Sequence, residues 1–310
     1  MSFIEAMEPL VEIRSLIARH VAVGQSTVIN TSIEGLKVST FGMTTEPMPV
    51  VYEPLFGVVV QGAKRAVLGN RVFDYVAGQY FVVSLEVPIT SQIISATDAE
   101  PFMALSLKLK PPIIATLLLD AVDNDIPAAP FSGMGVGQAS GELLEAVVRL
   151  LRLLDRPRDR TVLAPLVERE ILWYLLCGEQ GAVVRQIGLA DPRLSQISQA
   201  IRWIRTNYSK TLRIEELAEL VAMSASSFHR HFRVATAMTP IQYQKQVRLQ
   251  EARSRLMVQP EDVAAVGFAV GYDSPSQFSR EYSRFYGLPP GKDAVRLRNG
   301  STHERMILVD

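Results

Sequence analysis

One pattern is written twice near the C-terminal end of this chain, and it constrains the fold more than any other feature. From Ser224 the sequence reads SASSFHRHFRVATAMTP, and from Ser274 it reads SPSQFSREYSRFYGLPP. A shift of fifty residues pairs Ser224 with Ser274, Phe228 with Phe278, Arg230 with Arg280, Phe232 with Tyr282 and Pro240 with Pro290. Self-similarity on this scale marks a supersecondary unit rather than a bias of composition. Each copy follows a short apolar segment, 214–221 in the first and 262–270 in the second. The pattern therefore predicts helix, tight turn and second helix, twice.

The second helix of each copy has two distinct faces. In the first, Phe228, Phe232 and Ala235 recur at four- and three-residue spacing and should pin the helix to its domain. Ser226, His229, Arg230 and Arg233 fall on the other side. In the second, Phe278, Tyr282 and Phe285 point inward, and Ser276, Ser279, Arg280 and Arg284 outward. Hydroxyls, imidazoles and guanidinium forks are groups that reach base edges and phosphates in a major groove. Ser224 and Ser274 stand where an N-cap belongs. One copy alone is equally consistent with a solvated amphipathic helix pair; two in register favour nucleic acid.

Residues 195–298 resemble the DNA-binding domain of the AraC/XylS family of bacterial transcription regulators. The matching strings are LAELVAMSASSFHRHF (217–232), RLQEAR (248–253) and VGYDSPSQFSREY (270–282). The resemblance implies two helix-turn-helix units joined by a rigid helix, expected at 241–257 and about 25 Å long. One turn of DNA is about 34 Å, so that spacer suits two successive major grooves. It also implies base-facing roles for Ser226, His229 and Arg230, and for Ser276, Ser279 and Arg280. Two residues depart from the pattern. Gly267 stands where the family usually has Ala; a mid-helix Gly costs about 1 kcal/mol, so the second unit is expected to be the looser. Pro275 falls in a first helical turn, where its missing N–H is harmless.

Charge follows the same division. The 310 residues carry no net charge, yet residues 196–298 hold 15 Lys and Arg against 9 acids, while residues 1–195 hold 16 against 21. The basic footprint coincides with the repeat. No segment approaches eighteen consecutive apolar residues, and the first residues lack the apolar core of a secretory signal. A single cysteine, Cys177, excludes an intramolecular disulfide. The expectation is a cytoplasmic protein with no membrane contact.

The N-terminal half changes character along its length. Residues 4–23 carry the stripe of an amphipathic helix. Residues 24–110 hold short β-rich runs punctuated by Gly, Pro, Asn and Asp, with Gly69–Asn70 a candidate hairpin turn. VVVQGAKRAVLG (58–69), VAGQYFVVSLEVPIT (76–90) and EPFMALSLKLKPP (100–112) resemble the N-terminal domain of one AraC-family branch, which implies a cupin-like barrel. The fold class expected is α+β in two domains: a cupin-like β-barrel with appended helices, then an all-α domain with two helix-turn-helix motifs and a linker helix. The boundaries expected are 1–180 for effector binding and dimerisation, 181–195 for a linker, 196–298 for DNA binding and 299–310 for a tail.

Strand alternation nominates Phe56, Val58, Phe81 and Val83 as lining an effector pocket. The resemblance implies a small organic effector such as an aldehyde. None of the histidines, His20, His229, His231 and His303, lies in the barrel, so neither a metal nor another cofactor is expected. His229 and His231 are two apart and point about 200° apart on a helix, which is no metal pair. The glycine-rich GMGVGQASG (133–141) lacks the Lys-Ser/Thr of a phosphate loop and any Rossmann context; it reads as the end of a linker over 123–139. Helices are expected at 141–154 and 162–177, with apolar stripes wide enough either to close the core or to form a dimer interface. Cys177 has two readings, a buried structural thiol or a sensor of electrophiles.

These features converge on a ligand-responsive transcription regulator, activator or repressor, and not an enzyme. Its expected partners are double-stranded DNA, a small-molecule effector, a second copy of the chain and RNA polymerase. A cupin-like enzyme with a passenger domain and a ligand-free architectural DNA binder are the rival readings.

Overall fold

A computed structural model of the chain describes residues 7–21, 26–120, 133–188, 192–258 and 262–299. Two compact units divide it, Met1–Leu194 and Ser195–Asp310. His303 and most of the expected tail lie outside the described residues, as does the greater part of the linker expected at 123–139.

In the first unit, helix α1 (Met7–His20) turns Ile13, Leu16 and Ile17 inward. Among the described residues ten strands follow: β1 (Thr27–Asn30), β2 (Leu36–Phe41), β3 (Met48–Tyr52), β4 (Leu55–Gln61), β5 (Ala63–Leu68), β6 (Arg71–Val76), β7 (Gln79–Val83), β8 (Val87–Ser95), β9 (Phe102–Lys108) and, later in the chain, β10 (Met134–Gln138). Gly69–Asn70 is indeed a two-residue hairpin: Leu68 pairs with Arg71, and Gly69 takes φ +61°, a value glycine adopts without strain.

The barrel expectation needs one correction. Among the described residues every pairing is antiparallel, but the strands form two sheets, ordered β1-β2-β9-β4-β7-β10 and β3-β8-β5-β6, and do not close into a barrel. The larger sheet is covered on both faces. Phe56, Val58, Val82 and Leu105 meet the helices, whereas Phe81 and Phe102 meet the smaller sheet through Tyr52, Tyr75 and Lys64. Helices, large sheet and small sheet therefore make three layers. Each large side chain buried this way contributes about 1.5–3 kcal/mol.

The helical layer contains α1, α2 (Pro111–Asp120), α3 (Gly141–Arg152), α4 (Pro157–Cys177) and α5 (Gly181–Gly188). Ser140 caps α3, its hydroxyl accepting from the Leu143 N–H at 3.2 Å. Seven residues of α3 are buried, from Leu143 to Leu151, so its wide stripe is consumed inside the unit. Two stretches expected as linker are ordered elements. Met134–Gln138 pairs with β7, its glycines leaving room for Gln180 and Tyr80. Residues 181–188 form α5, with Val183 and Val184 buried in the same core.

The second unit is helical: α6 (Pro192–Thr206), α7 (Ile214–Leu220), α8 (Ala225–Thr236), α9 (Pro240–Val258), α10 (Val263–Ala269), α11 (Pro275–Tyr286) and α12 (Pro290–Asn299). The repeat is larger than a helix pair. α7-α8-α9 correspond to α10-α11-α12, and Pro240 and Pro290 each open a third helix. The turn after α10 is one residue longer than that after α7, so Ala222 corresponds to Gly271 at a shift of forty-nine. Both adopt positive φ, +53° and +94°, as do Ala237 (+56°) and Gly287 (+75°), which end α8 and α11. The first copy thus holds alanine at two left-handed positions where the second holds glycine.

Gly267 proves to be a packing residue rather than a weak point. A Cβ there would sit 2.9 Å from Cδ1 and 3.3 Å from Cβ of Phe278, the inward anchor of α11. Glycine lets α10 and α11 approach closely.

These contrasts predict opposite outcomes for two small changes. Ala237→Gly should raise stability by about 0.5–1 kcal/mol by relieving the left-handed strain. Gly267→Ala should lower it by about 1–3 kcal/mol despite its gain in helix propensity. Denaturant midpoints of the full chain measure both.

Candidate nucleic-acid interface

Both expected reading helices are capped by their serines. The Ser224 hydroxyl accepts from the Ser227 N–H at 3.3 Å, and the Ser274 hydroxyl from the Gln277 N–H at 3.4 Å. Phe228, Phe232, Phe278 and Tyr282 are completely buried, which sets the rotation of α8 and α11 about their axes. That rotation leaves Ser226, Arg230 and Arg233 exposed on α8, with His229 half-buried at the edge. On α11 it exposes Ser276, Arg280 and Arg284, with Ser279 half-buried. The Arg280 Nε–H donates to the Ser276 carbonyl at 3.3 Å, laying the guanidinium back along its helix.

Gln277 escapes the sequence reading. It is exposed in the first turn of α11, and its amide is suited to adenine. Its position within the first helical turn is the available signal.

Not every arginine in the basic half is available to DNA. Arg248, in the RLQEAR string, donates to the carbonyls of Tyr208 (2.6 Å), Gly271 (2.7 Å), Lys210 (2.9 Å) and Ser209 (3.2 Å). It clamps α9 to the loop after α6 and to the turn of the second motif. Arg253 is buried and bonds Asp293 through Nε at 2.9 Å and Nη2 at 3.3 Å, with its guanidinium over the Tyr286 ring. Asp293, wholly buried, also accepts from the Tyr282 hydroxyl at 2.9 Å and from Arg296 at 3.2 Å. Burial alone would depress the Arg253 pKa; the Asp293 carboxylate outweighs it and raises it. Glu281 on α11 takes Lys245 of α9 at 3.1 Å and the Tyr272 hydroxyl at 3.0 Å. Burial pushes its carboxyl upward, yet Lys245 and Tyr272 hold it below the usual range. α9, at 19 residues, spans about 28 Å and carries both motifs.

In the first unit the four nominated pocket residues do not share a face. Phe56 pairs with Val82 and Val58 with Tyr80, all on the helix-facing side. Phe81 and Val83 alternate with these and face the small sheet, Phe81 lying over Gly57 where a Cβ would clash at 2.4 Å. Assigning faces strand by strand, without the register, mixes the two sides of the sheet.

Family models match both halves. The model for the AraC-type transcriptional regulator N-terminus covers residues 32–183, and a helix-turn-helix domain model covers 217–294. The chain belongs to the AraC family of transcription regulators. Among curated relatives, the transcriptional regulator ArgR of Pseudomonas aeruginosa is 27% identical over 158 residues, 50% of this chain and 47% of that protein. The transcriptional activator RhaS of Yersinia pestis is 25% identical over 154 residues, 49% of this chain and 56% of RhaS. The chain spans about half the length of the curated relatives it matches. In fold, this AraC-family chain is similar to ToxT of Vibrio cholerae with bound unsaturated fatty acid, at TM-score 0.56 and 10% identity over 90% of this chain and 99% of that one. An apo form of ToxT aligns at TM-score 0.55 and 8% identity, over 86% and 100%.

Cys177 of this AraC-family chain is exposed at the end of α4, not buried as a structural thiol would be. Partial burial raises its pKa. Among the described residues no group of three His, Cys, Asp or Glu side chains is placed to hold a metal, and no helix is long and apolar enough to cross a membrane.

The buried ion pair yields a test. Asp293→Ala strands Arg253 without a counter-ion and should cost about 3–5 kcal/mol, read from denaturant unfolding. Arg230→Ala, on the bare face, should leave stability within about 0.5 kcal/mol of wild type.

Proposed function

We propose that this chain is a ligand-responsive, sequence-specific DNA-binding transcription regulator of the cytoplasm, without enzymatic activity. The observation that carries the reading is the repeated pair of serine-capped helices, each with a buried aromatic face and an exposed arginine face, on one connecting helix. Ser226, His229, Arg230 and Arg233 on α8, with Ser276, Ser279, Arg280 and Arg284 on α11, form the DNA-reading set; Gln277 joins them. Insertion of the two helices into successive major grooves on one face of the duplex follows from the two-motif layout. Phosphate contacts come from basic residues outside the Arg248 and Arg253 clamps, which narrows the electrostatic footprint.

That the relatives ArgR and RhaS are transcription regulators supports the reading against an enzyme. The fatty acid in the ToxT structure supports an effector site in a fold of this kind. A promoter-bound protein of this class contacts RNA polymerase when it activates.

Footprinting on DNA flanking its own gene, across a salt titration, tests the core of the proposal. Protection of two adjacent major grooves on one DNA face is expected. Arg230→Ala and Arg280→Ala should each cost about 1–3 kcal/mol of specific binding and relax readout at one base position. Uniform weakening on unrelated sequences would instead assign both side chains to phosphate.

The partner proposed for α4 is a second copy of the chain. Its inner residues, Ile171, Leu172, Leu175 and Leu176, close the first unit's core. Val162 (66% exposed), Leu166 (60%) and Trp173 (41%) form a separate outward stripe, while α3 keeps none. A two-fold pairing of α4 would cover that stripe. Leu166→Glu should halve the mass in sedimentation equilibrium; a dimer of unchanged strength would place the interface elsewhere.

A further inference from the structure

We infer that the effector site lies between the two sheets of the first unit and takes a small organic monocarboxylate, its anionic head held by Lys64 and the hydroxyls of Tyr52 and Tyr75. The inference rests on the effector-binding reading above and names the ligand class for it.

Lys64 stands in the middle of the small sheet, yet it points inward. It is paired in register with Tyr75 on one side and Ile93 on the other, and its ammonium lies 6.0 Å from the ring centroid of Phe102 in the opposite sheet. Lys64 Nζ donates to the Tyr52 hydroxyl at 2.8 Å. Tyr52 stacks on Phe81 across the inter-sheet space at 6.0 Å, and Tyr75 packs on the same ring at 4.9 Å. Aromatic rings from both sheets thus line the space beside one half-buried ammonium.

Among the described residues no carboxylate forms an ion pair with Lys64, although other lysines of the unit do find one: Lys108 reaches Glu53 at 2.6 Å and Lys110 reaches Glu168 at 2.9 Å. Tyr75 is completely buried, and among the described residues its hydroxyl has no hydrogen-bond partner. Burial, with the Tyr52 hydroxyl nearby, keeps that phenol protonated far above neutral pH, so it is a standing donor. Lys64 retains two unused N–H donors and Tyr75 one. A half-buried cation with no carboxylate and a fully buried donor with no acceptor among the described residues, both set among aromatic walls, are what a carboxylate head satisfies.

The neighbouring side chains set the character of the tail. Ala66, Ile89 and Ile93 from the small sheet and Val83, Phe81 and Phe102 from the large one are apolar and buried. One cation among such walls matches a single negative charge joined to an apolar body. It does not match a phosphate, whose second charge would be left without compensation.

The test is a thermal-shift and calorimetric titration of the full chain with benzoate and octanoate, beside the neutral probes benzamide and octanol. A carboxylate that binds only the native state raises the melting temperature with concentration. Carboxylates are expected to bind and the neutral probes to be at least tenfold weaker. Lys64→Met should weaken carboxylate binding at least tenfold, and Lys64→Arg should restore most of it. Tyr75→Phe, a change of one oxygen, gives a signature that a purely structural role would not. It should raise the melting temperature of the unliganded chain, because an unmet buried donor is removed, and weaken carboxylate binding severalfold. Unchanged carboxylate affinity in Lys64→Met would place the site elsewhere. Shifts by the neutral probes alone would overturn the carboxylate class while leaving a sensor in place. No shift with any probe would overturn the inference, and the DNA footprint would still stand or fall independently.

Discussion

One buried carboxylate holds together the second copy of the repeat. Asp293 on α12 is reached by Arg253 from α9 and Tyr282 from α11, so three helices meet at two oxygens. A charged pair removed from water gains little over an apolar contact of equal volume, but it is directional. The first copy of the repeat shows the alternative. There Tyr243 occupies the position of Asp293 and Phe232 that of Tyr282, and the two rings meet edge-to-face at 5.6 Å. The same joint carries an edge-to-face ring pair in one copy and a hydrogen-bonded ion pair in the other. Both solutions hold the inner face of a reading helix so that the outer face stays bare.

The bare faces explain how a chain of zero net charge presents a basic surface. Arginines in the second unit divide by geometry rather than by number. Arg248 and Arg253 are spent on carbonyls and a carboxylate inside the unit, whereas Arg230, Arg233, Arg280 and Arg284 are exposed on the two helices. A count of basic residues along the sequence cannot make that division, because clamped and exposed arginines have identical side chains.

In the first unit the corresponding constraint is a sheet buried on both sides. Such strands read as nearly continuous apolar runs, LFGVVVQ in β4 and QYFVV in β7, and alternation loses its contrast. Strand patterning therefore groups Phe56 and Val58 with Phe81 and Val83, although a sheet separates them. It also hides Lys64, which looks like a solvent-facing residue in an ordinary KRAVL strand. Only the cross-strand register with Tyr75, and the approach to Phe102 from the opposite sheet, turn it inward.

The amino-acid sequence by itself determined the double motif, its caps, its aromatic anchors and the two arginine faces. All of these follow from helical periodicity and local capping, which act over a few residues. It also carried the β-rich character of the first half, the hairpin at Gly69–Asn70 and the family. Tertiary structure alone decided that the sheets stay open, that α3 is interior while α4 keeps an outward stripe, and that Gly267 is a contact rather than a flaw. It alone decided which arginines are clamps and that one lysine turns inward between two sheets. Each of those depends on partners distant along the chain, and no local pattern records the distance.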